Sequence, residues 1–371
     1  MKLKLRCFLA QKHPYLYPNG PLIEPQMEKI DESIFEFLSN HPLSSSKEIF
    51  DGIATDKGYA TIKRALNHLI ELDFLVVSGN GKGTKYKLSN SFIINRPIRI
   101  DTYFEKEIDE RDINQSYNFS LLSEILPTVS LFNPEEIEQL NTLQGRYQAN
   151  ISKLTPNQYQ KELERLAIDL SWKSSQIEGN TYSLLETERL LNDKLTANGK
   201  TQFEATMLLN HKAALDFIIE NPDYLNPVQI NRIEDIHSML VKDLDVERNI
   251  RKHRVGISGT NYKPLDSDFQ IIEAIQQMCH LVNSKQNVFE KALLLLVLIS
   301  YIQPFDDGNK RMARIISNAC LIHHKHCPIS FRTADSIEYK KAMLLFYEQN
   351  NISAIKAIFI DQFEFAVNTY F

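Results

Sequence analysis

A chain of 371 residues is long enough for two domains, or one large one, with a full core. Its 43% hydrophobic and 24% charged residues are ordinary for a globular protein, and a net charge of −5 excludes a global pull toward nucleic acid or an anionic membrane. Four scattered cysteines, Cys7, Cys279, Cys320 and Cys327, argue against a disulfide framework or a CxxC zinc site and fit a reducing cytoplasm.

In chain order, Met1 to Ala10 holds lysines and an apolar patch. Polar Gln11-Lys12-His13 follows at once, which is too short a run for a secretory leader. Residues 1–95 then read as a small winged helix-turn-helix. Ile30, Ile34, Phe35 and Leu38 recur at helical spacing until Asn40-His41-Pro42. Ser44-Ser45-Ser46 offers an N-cap for a helix over Lys47 to Ile53. Thr55-Asp56 offers another before Tyr59 to Asp73, whose apolar stripe is Ile62, Leu66, Leu69 and Ile70. Phe74 to Val77 and Tyr86 to Leu88 read as strands joined by a glycine-rich turn, Ser78 to Thr84. Such a unit would bring Lys63 and Arg64 to a DNA groove and Lys82, Lys85 and Lys87 to phosphates. The segment has 12 Lys and Arg against 10 Asp and Glu, a surplus of only 2, so protein contact or dimerisation stands equally open.

Residues 96–156 mix charged and short apolar stretches and read as a linker with packing helices. From 157 to 371 the chain is strongly helical, with signals over Tyr159 to Ser171, Leu184 to Asp193, Phe203 to Ile219, Pro227 to Leu244, Asp268 to Ser284, Phe289 to Tyr301 and Ala313 to His323. Only Val255 to Pro264 has hairpin character. The longest apolar run, Ala292 to Ser300, is about half of what spans a bilayer, so a cytoplasmic protein with no membrane partner is expected. Cys320, His323 and His324 loosely offer metal-ligand spacing, but a helix end with a buried thiol accounts for them more simply.

The chemistry centres on Gln303-Pro304-Phe305-Asp306-Asp307-Gly308-Asn309-Lys310-Arg311-Met312-Ala313-Arg314. An apolar helix gives way to a polar loop, and a new helix starts near Asn309. Free N–H groups at such a start carry partial positive charge and seat phosphate. Asp307 can hold Mg²⁺ against that phosphate, and Arg311 and Arg314, three apart on one face, can fork onto its oxygens.

This string resembles the Fic motif, His-Pro-Phe-x-x-Gly-Asn-Gly-Arg-x-x-Arg, matching at Pro304, Phe305, Gly308, Asn309, Arg311 and Arg314, with Asp307 at the acidic position. Lys310 replaces the second glycine, as in the Doc branch. The resemblance implies a mainly α Fic (Fido) core with a small β-hairpin flap. It also implies AMP transfer from ATP, with Mg²⁺, to a hydroxyl of an unknown target protein. Asp307 would bind the metal, Gly308, Asn309 and Lys310 would cradle phosphate, Arg311 would orient the outer phosphates, and Phe305 would anchor the loop. One position departs: the family's general-base histidine is Gln303 here. A glutamine amide has no usable basic pKa, so the chemical step should slow by roughly 10²–10⁴-fold while nucleotide binding survives.

Ser174-Ser175-Gln176-Ile177-Glu178-Gly179-Asn180 resembles the family's inhibitory motif, within a helix expected over about 165–180. Ser174 and Glu178 share a helical face and Gly179 ends it. By resemblance Glu178 pairs with Arg314 and blocks productive placement of the γ-phosphate. Arg251 to Pro264 resembles the flap that receives a target segment by strand addition, through Val255, Ile257, Gly259 and Tyr262. Tyr339 falls where the family has a residue near the adenine. Members of this class often dimerise, which leaves a homodimer open. The alternative is a nucleotide-sensing DNA-binding regulator that uses the winged helix.

Overall fold

Helix α1 (Lys29–Asn40) forms where Ile30, Ile34, Phe35 and Leu38 share a face, and all four are buried. The computed structural model describes residues 29–371, so the readings of Met1 to Ala10 and Cys7 lie outside the described residues. Ser45 caps α2 (Ser46–Gly52) in a capping box with Glu48. Helix α3 (Tyr59–Glu71) starts instead at Gly58 without a side-chain cap, because Thr55 spends its hydroxyl on Lys57 N, 3.1 Å away.

Strands β1 (Leu75–Ser78) and β2 (Lys85–Leu88) pair antiparallel, Leu75 opposite Leu88 and Ser78 opposite Lys85. Ser44 adds one antiparallel rung against Tyr86. Leu75, Tyr86 and Leu88 close over the faces of α1 to α3, and Phe92 of α4 (Asn90–Asn95) seals that core. The chain divides by contacts into two units, one reaching to Arg99 and taking in Asn351–Ser353, the other formed by Ile100–Asn350 and Ala354–Phe371.

The second unit is helical. It holds α5 (Ile100–Phe104), α6 (Pro134–Ile151), α7 (Pro156–Ile177), α8 (Leu184–Asp193), α9 (Gln202–Glu220), α10 (Ile230–Leu240), α11 (Asp268–Ser284), α12 (Val288–Ile302), α13 (Asn309–His323), α14 (Ser336–Gln349) and most of α15 (Ser353–Thr369). Most of segment 96–156 thus lies within this unit. Apolar α12, buried from Ala292 to Ile302, packs along α13 at its centre. The loop 303–308 joining them sits where the buried helix surfaces.

The expected β-hairpin over Val255 to Pro264 is absent. Among the described residues β1 and β2 form the only sheet. Gly259 turns the chain at φ +88°, and Lys263 N donates to Gln115 O at 2.9 Å in a parallel bridge beside Ser116. Gly256 and Gly259 weaken both limbs, Pro264 lacks a donor, and a distant segment supplies the rung. No helix among the described residues is long and apolar enough to cross a membrane.

Candidate nucleotide site

Helix α12 ends because Gln303 adopts the left-handed conformation (φ 51°, ψ 61°) and Pro304 cannot continue a helix. A non-glycine residue there costs about 1–2 kcal/mol, so the surroundings must impose it. They do so through Arg251, which is fully buried. Its Nε donates to Gln303 O at 2.6 Å, Nη1 to His253 O at 2.7 Å and Nη2 to Leu265 O at 2.5 Å, while Arg251 N donates to Pro304 O at 3.1 Å.

The Gln303 side chain is turned into the loop. Its Nε2 donates to Ser300 O at 2.6 Å, and its Oε1 accepts from Asn309 Nδ2 at 3.1 Å. Asn309 also donates to Phe305 O at 2.7 Å and accepts from Phe305 N at 3.0 Å, which closes the loop on itself. Phe305 is buried and stacks on His237, with centroids 3.7 Å apart. The His237 ring nitrogens face two carbonyls, Asp307 O at 2.9 Å and Arg248 O at 3.2 Å. Burial nonetheless holds its pKa below the ordinary value. Gly308, at φ +83°, takes a conformation only glycine adopts freely, and α13 begins immediately after it.

At that start Arg311 Nη2 donates to Asp307 Oδ2 at 2.7 Å. Arg314 lies in the core: Nε donates to Ser174 Oγ at 2.9 Å, and Nη2 donates to Ser174 O and Glu178 Oε1, each at 2.9 Å. Lys310 Nζ stands 3.5 Å from Glu178 Oε2, so one carboxylate holds two cations. Burial pushes the Glu178 pKa up, but Arg314 and Lys310 outweigh it and hold the group below the usual carboxylate range. Glu178 is the C-cap of α7, and Gly179 at φ +100° turns the chain away. The expected partners Ser174, Glu178, Gly179 and Arg314 therefore meet at one point.

These groups border an open cleft of about 570 Å³, lined by Glu178, Gly256, Ile257, Ser258, Gln303 and residues 306–311. An anionic phosphate fits it by two observations. The N-terminus of α13 opens there, and Nη1 of Arg311, which lines the cleft, is buried without a hydrogen-bond partner. For a cation, Asp307 offers the carboxylate. Among the described residues no three or more His, Cys, Asp or Glu gather as ligands, so Mg²⁺ would take most of its shell from phosphate and water, as that ion does.

Three expectations need correction. Tyr262 is no docking surface: it is buried, stacks on Tyr301 at 4.8 Å and donates its hydroxyl to Tyr301 O at 3.1 Å. Gly259 is tied back by Arg111 Nη2 at 2.8 Å, and of the expected flap residues Ile257 lines the cleft, with Gly256 and Ser258, while Val255 does not. Tyr339 is buried under the Arg314 guanidinium, 5.3 Å from its ring centre, and does not line the cleft. Burial pushes the Cys320 thiol up to about 12. In the first unit Lys85 lies 3.9 Å from Glu48, Lys47 pairs with Asp51 at 2.7 Å, and Lys63 leans on the Tyr59 ring. The sequence carried no signal for His237 or Arg251, since an isolated polar residue at a core position makes no pattern.

Residues 227–321 match the Fic/DOC family model. A protein adenylyltransferase Fic of Aedes aegypti is 25% identical over 242 residues, 62% of this chain and 47% of that protein. Protein adenylyltransferase fic-1 of Caenorhabditis elegans is 23% identical over 171 residues, 44% of this chain and 33% of that protein. The chain thus matches less than half the length of either relative. Among solved structures, Fic-1 of C. elegans superposes with a TM-score of 0.55 at 17% identity, covering 64% of this chain and 72% of that one. A Fic domain containing signaling protein of Bacteroides thetaiotaomicron gives 0.54 at 17% identity, covering 62% and 94%. The helical fold, the loop and the matched segment all lie in the second unit, which therefore carries a Fic/DOC-type segment over residues 227–321.

Proposed function

We propose that this chain transfers AMP from ATP to a hydroxyl of a target protein, and that it is restrained by Glu178 and slowed by Gln303. The observation that carries the reading is the double engagement of Glu178, 2.9 Å from Arg314 and 3.5 Å from Lys310 at the edge of the cleft. Those cations and the N-terminus of α13 are the groups suited to a triphosphate, and the glutamate competes for them. Mg²⁺ held by Asp307 would neutralise charge on the phosphate oxygens. Arg311 orients the polyphosphate, the N–H groups of Gly308 to Lys310 seat it, and Gly256 to Ser258 border the place where a target segment would lie. In the reaction the hydroxyl oxygen bonds to the α-phosphorus, the bond to the β-phosphate oxygen breaks, pyrophosphate leaves, and the hydroxyl proton passes to a base. Gln303 cannot take that proton.

The test is self-labelling with α-labelled ATP and Mg²⁺ in Glu178→Gly, beside Glu178→Gly with Gln303→His. Label in the second variant supports the reading, and absence of label in both removes it. A second reading, a nucleotide-sensing DNA-binding regulator, draws on the Gln303 amide being used up inside the loop, which suits a site that binds without turning over. A gel shift on the chain's own upstream DNA at two salt concentrations tests it, and no shift at low salt ends it.

A further inference from the structure

A site that moves AMP onto a hydroxyl acts on whichever hydroxyl stands at the α-phosphate, including one of its own. Among the described residues that line the cleft, Ser258 alone carries a hydroxyl. The residue is exposed, and its Oγ has no hydrogen-bond partner among the described residues. Hydroxyls that flank the site in sequence are engaged elsewhere. Ser174 Oγ accepts from Arg314 Nε at 2.9 Å, and Ser300 Oγ donates to Leu296 O at 3.1 Å. Thr260 Oγ1 accepts from Tyr262 N at 3.1 Å, and the Tyr262 hydroxyl donates to Tyr301 O at 3.1 Å.

The backbone that carries this serine is held on both sides. One residue on, Gly259 O accepts from Arg111 Nη2 at 2.8 Å, and Arg111 is itself buried against Glu348, with Nη1 3.1 Å from Oε1. Asn261 Nδ2 donates to Asp109 Oδ1 at 2.9 Å, and Lys263 N donates to Gln115 O at 2.9 Å. On the other side Arg251 bolts His253 O to Gln303 O, at 2.7 and 2.6 Å. Ser258 lies between these anchors, so its hydroxyl keeps its station at the cleft while no hydrogen bond fixes its rotamer. A hydroxyl held in this way meets a bound nucleotide without a diffusional encounter.

We infer that Ser258 is an acceptor for AMP within its own chain, an inference that rests on the transferase reading above. Ser258 Oγ bonds to the α-phosphorus of ATP, the bond from that phosphorus to the β-phosphate oxygen breaks, and pyrophosphate leaves with the electron pair. The hydroxyl proton passes to water in the open cleft or, in a chain carrying Gln303→His, to the imidazole. The product is a phosphodiester joining Ser258 to adenosine.

For the test, the full chain carrying Glu178→Gly and Gln303→His is incubated with α-labelled ATP and Mg²⁺ and digested, and the modified residue is located by tandem mass spectrometry. AMP is expected on Ser258. Adding Ser258→Ala should lower incorporation by about 10²-fold or more, the advantage of a held acceptor over one that arrives from solution. Ser258→Thr keeps a hydroxyl and should restore most of the label. The labelled fraction at a fixed time should stay constant on about tenfold dilution of the protein, as a step within one chain requires. AMP on another residue, undiminished label in Ser258→Ala, or a labelled fraction that falls on dilution overturns the inference and leaves the transferase reading standing. Absence of label from every variant removes the transferase reading and this inference with it.

Discussion

Replacing Glu178 with Gln tests the restraint by opposite effects with and without nucleotide. The substitution keeps shape and one acceptor oxygen but removes a charge that faces Arg314 at 2.9 Å and Lys310 at 3.5 Å. Breaking a buried ion pair outright costs about 3–5 kcal/mol. Arg314 keeps its bonds to Ser174 Oγ and Ser174 O, and the glutamine oxygen still accepts, so the net loss should be about 2 kcal/mol. For a unit of this size that lowers Tm by roughly 4–8 °C. In ATP and Mg²⁺ most of that gap should close. A phosphate no longer competes with a carboxylate, and a tenfold gain in affinity returns about 1.4 kcal/mol at saturating ligand. The nucleotide-induced Tm shift of the variant should therefore exceed that of the parent by roughly 3–6 °C. The pH dependence has a definite sign. The folded-state pKa of Glu178 is depressed, so its contribution is present above the carboxylate range and is lost as pH falls through the folded value. Parent and variant should converge in acid. Equal Tm shifts with ATP, or a variant more stable than its parent at neutral pH, would refute the reasoning.

Other consequences can be checked as directly. Arg251→Lys should cost about 3 kcal/mol or more in a urea titration, because an ammonium cannot reach the carbonyls of Gln303, His253 and Leu265 together; a variant as stable as its parent would contradict the bolt. Burial holds His211 well below its usual pKa, with Arg314 and Arg311 adding to the effect, and burial likewise lowers His237. The unfolded chain therefore binds protons first, and stability should fall as pH drops from about 6.5, by up to about 1.4 kcal/mol per pH unit for each ring. A flat stability profile between pH 7 and 5 would count against buried neutral rings. His237→Phe should keep the stack on Phe305 but lose the hydrogen bond to the loop carbonyl, costing about 1–3 kcal/mol in the same titration and weakening ATP binding.

What the sequence disclosed follows from which forces leave periodic traces. Helices α8 and α11 fall on their expected bounds because apolar spacing, the Ser183–Glu186 capping box and flanking polar residues agree locally. The site loop was legible for the same reason: the apolar run of α12 stops at Pro304, and Gly308 marks the start of α13. The meeting of Glu178 with Arg314, 136 residues later, leaves no such trace and was reached only through motif resemblance. The flap failed where local and distant pairing competed. Val255 to Pro264 reads as a hairpin on its own, but the backbone of Lys263 finds its partner at Gln115. Tyr262 was misread in the same way, since an aromatic in a glycine-rich stretch reads as a contact surface until Tyr301 lies beneath it.

The restraint and the missing base bear on each other. A carboxylate brought this far out of water is tolerated only where cations repay its desolvation, and Arg314 has no contact with solvent through which to do without it. Glu178 therefore completes the cation cluster by the same contacts through which, on the proposed function, it would compete with a nucleotide. Arg311 and Arg314 each still keep one buried donor unpaired, so the glutamate satisfies the cluster only in part. A ligand with more acceptor oxygens than one carboxylate gains from both sources: it displaces a single pair and satisfies the donors that the pair leaves over. On this argument the pocket is poised for a polyphosphate whatever the rate of the chemical step. Nucleotide affinity and catalytic rate should then separate experimentally, with Glu178 governing the first and the residue at position 303 the second.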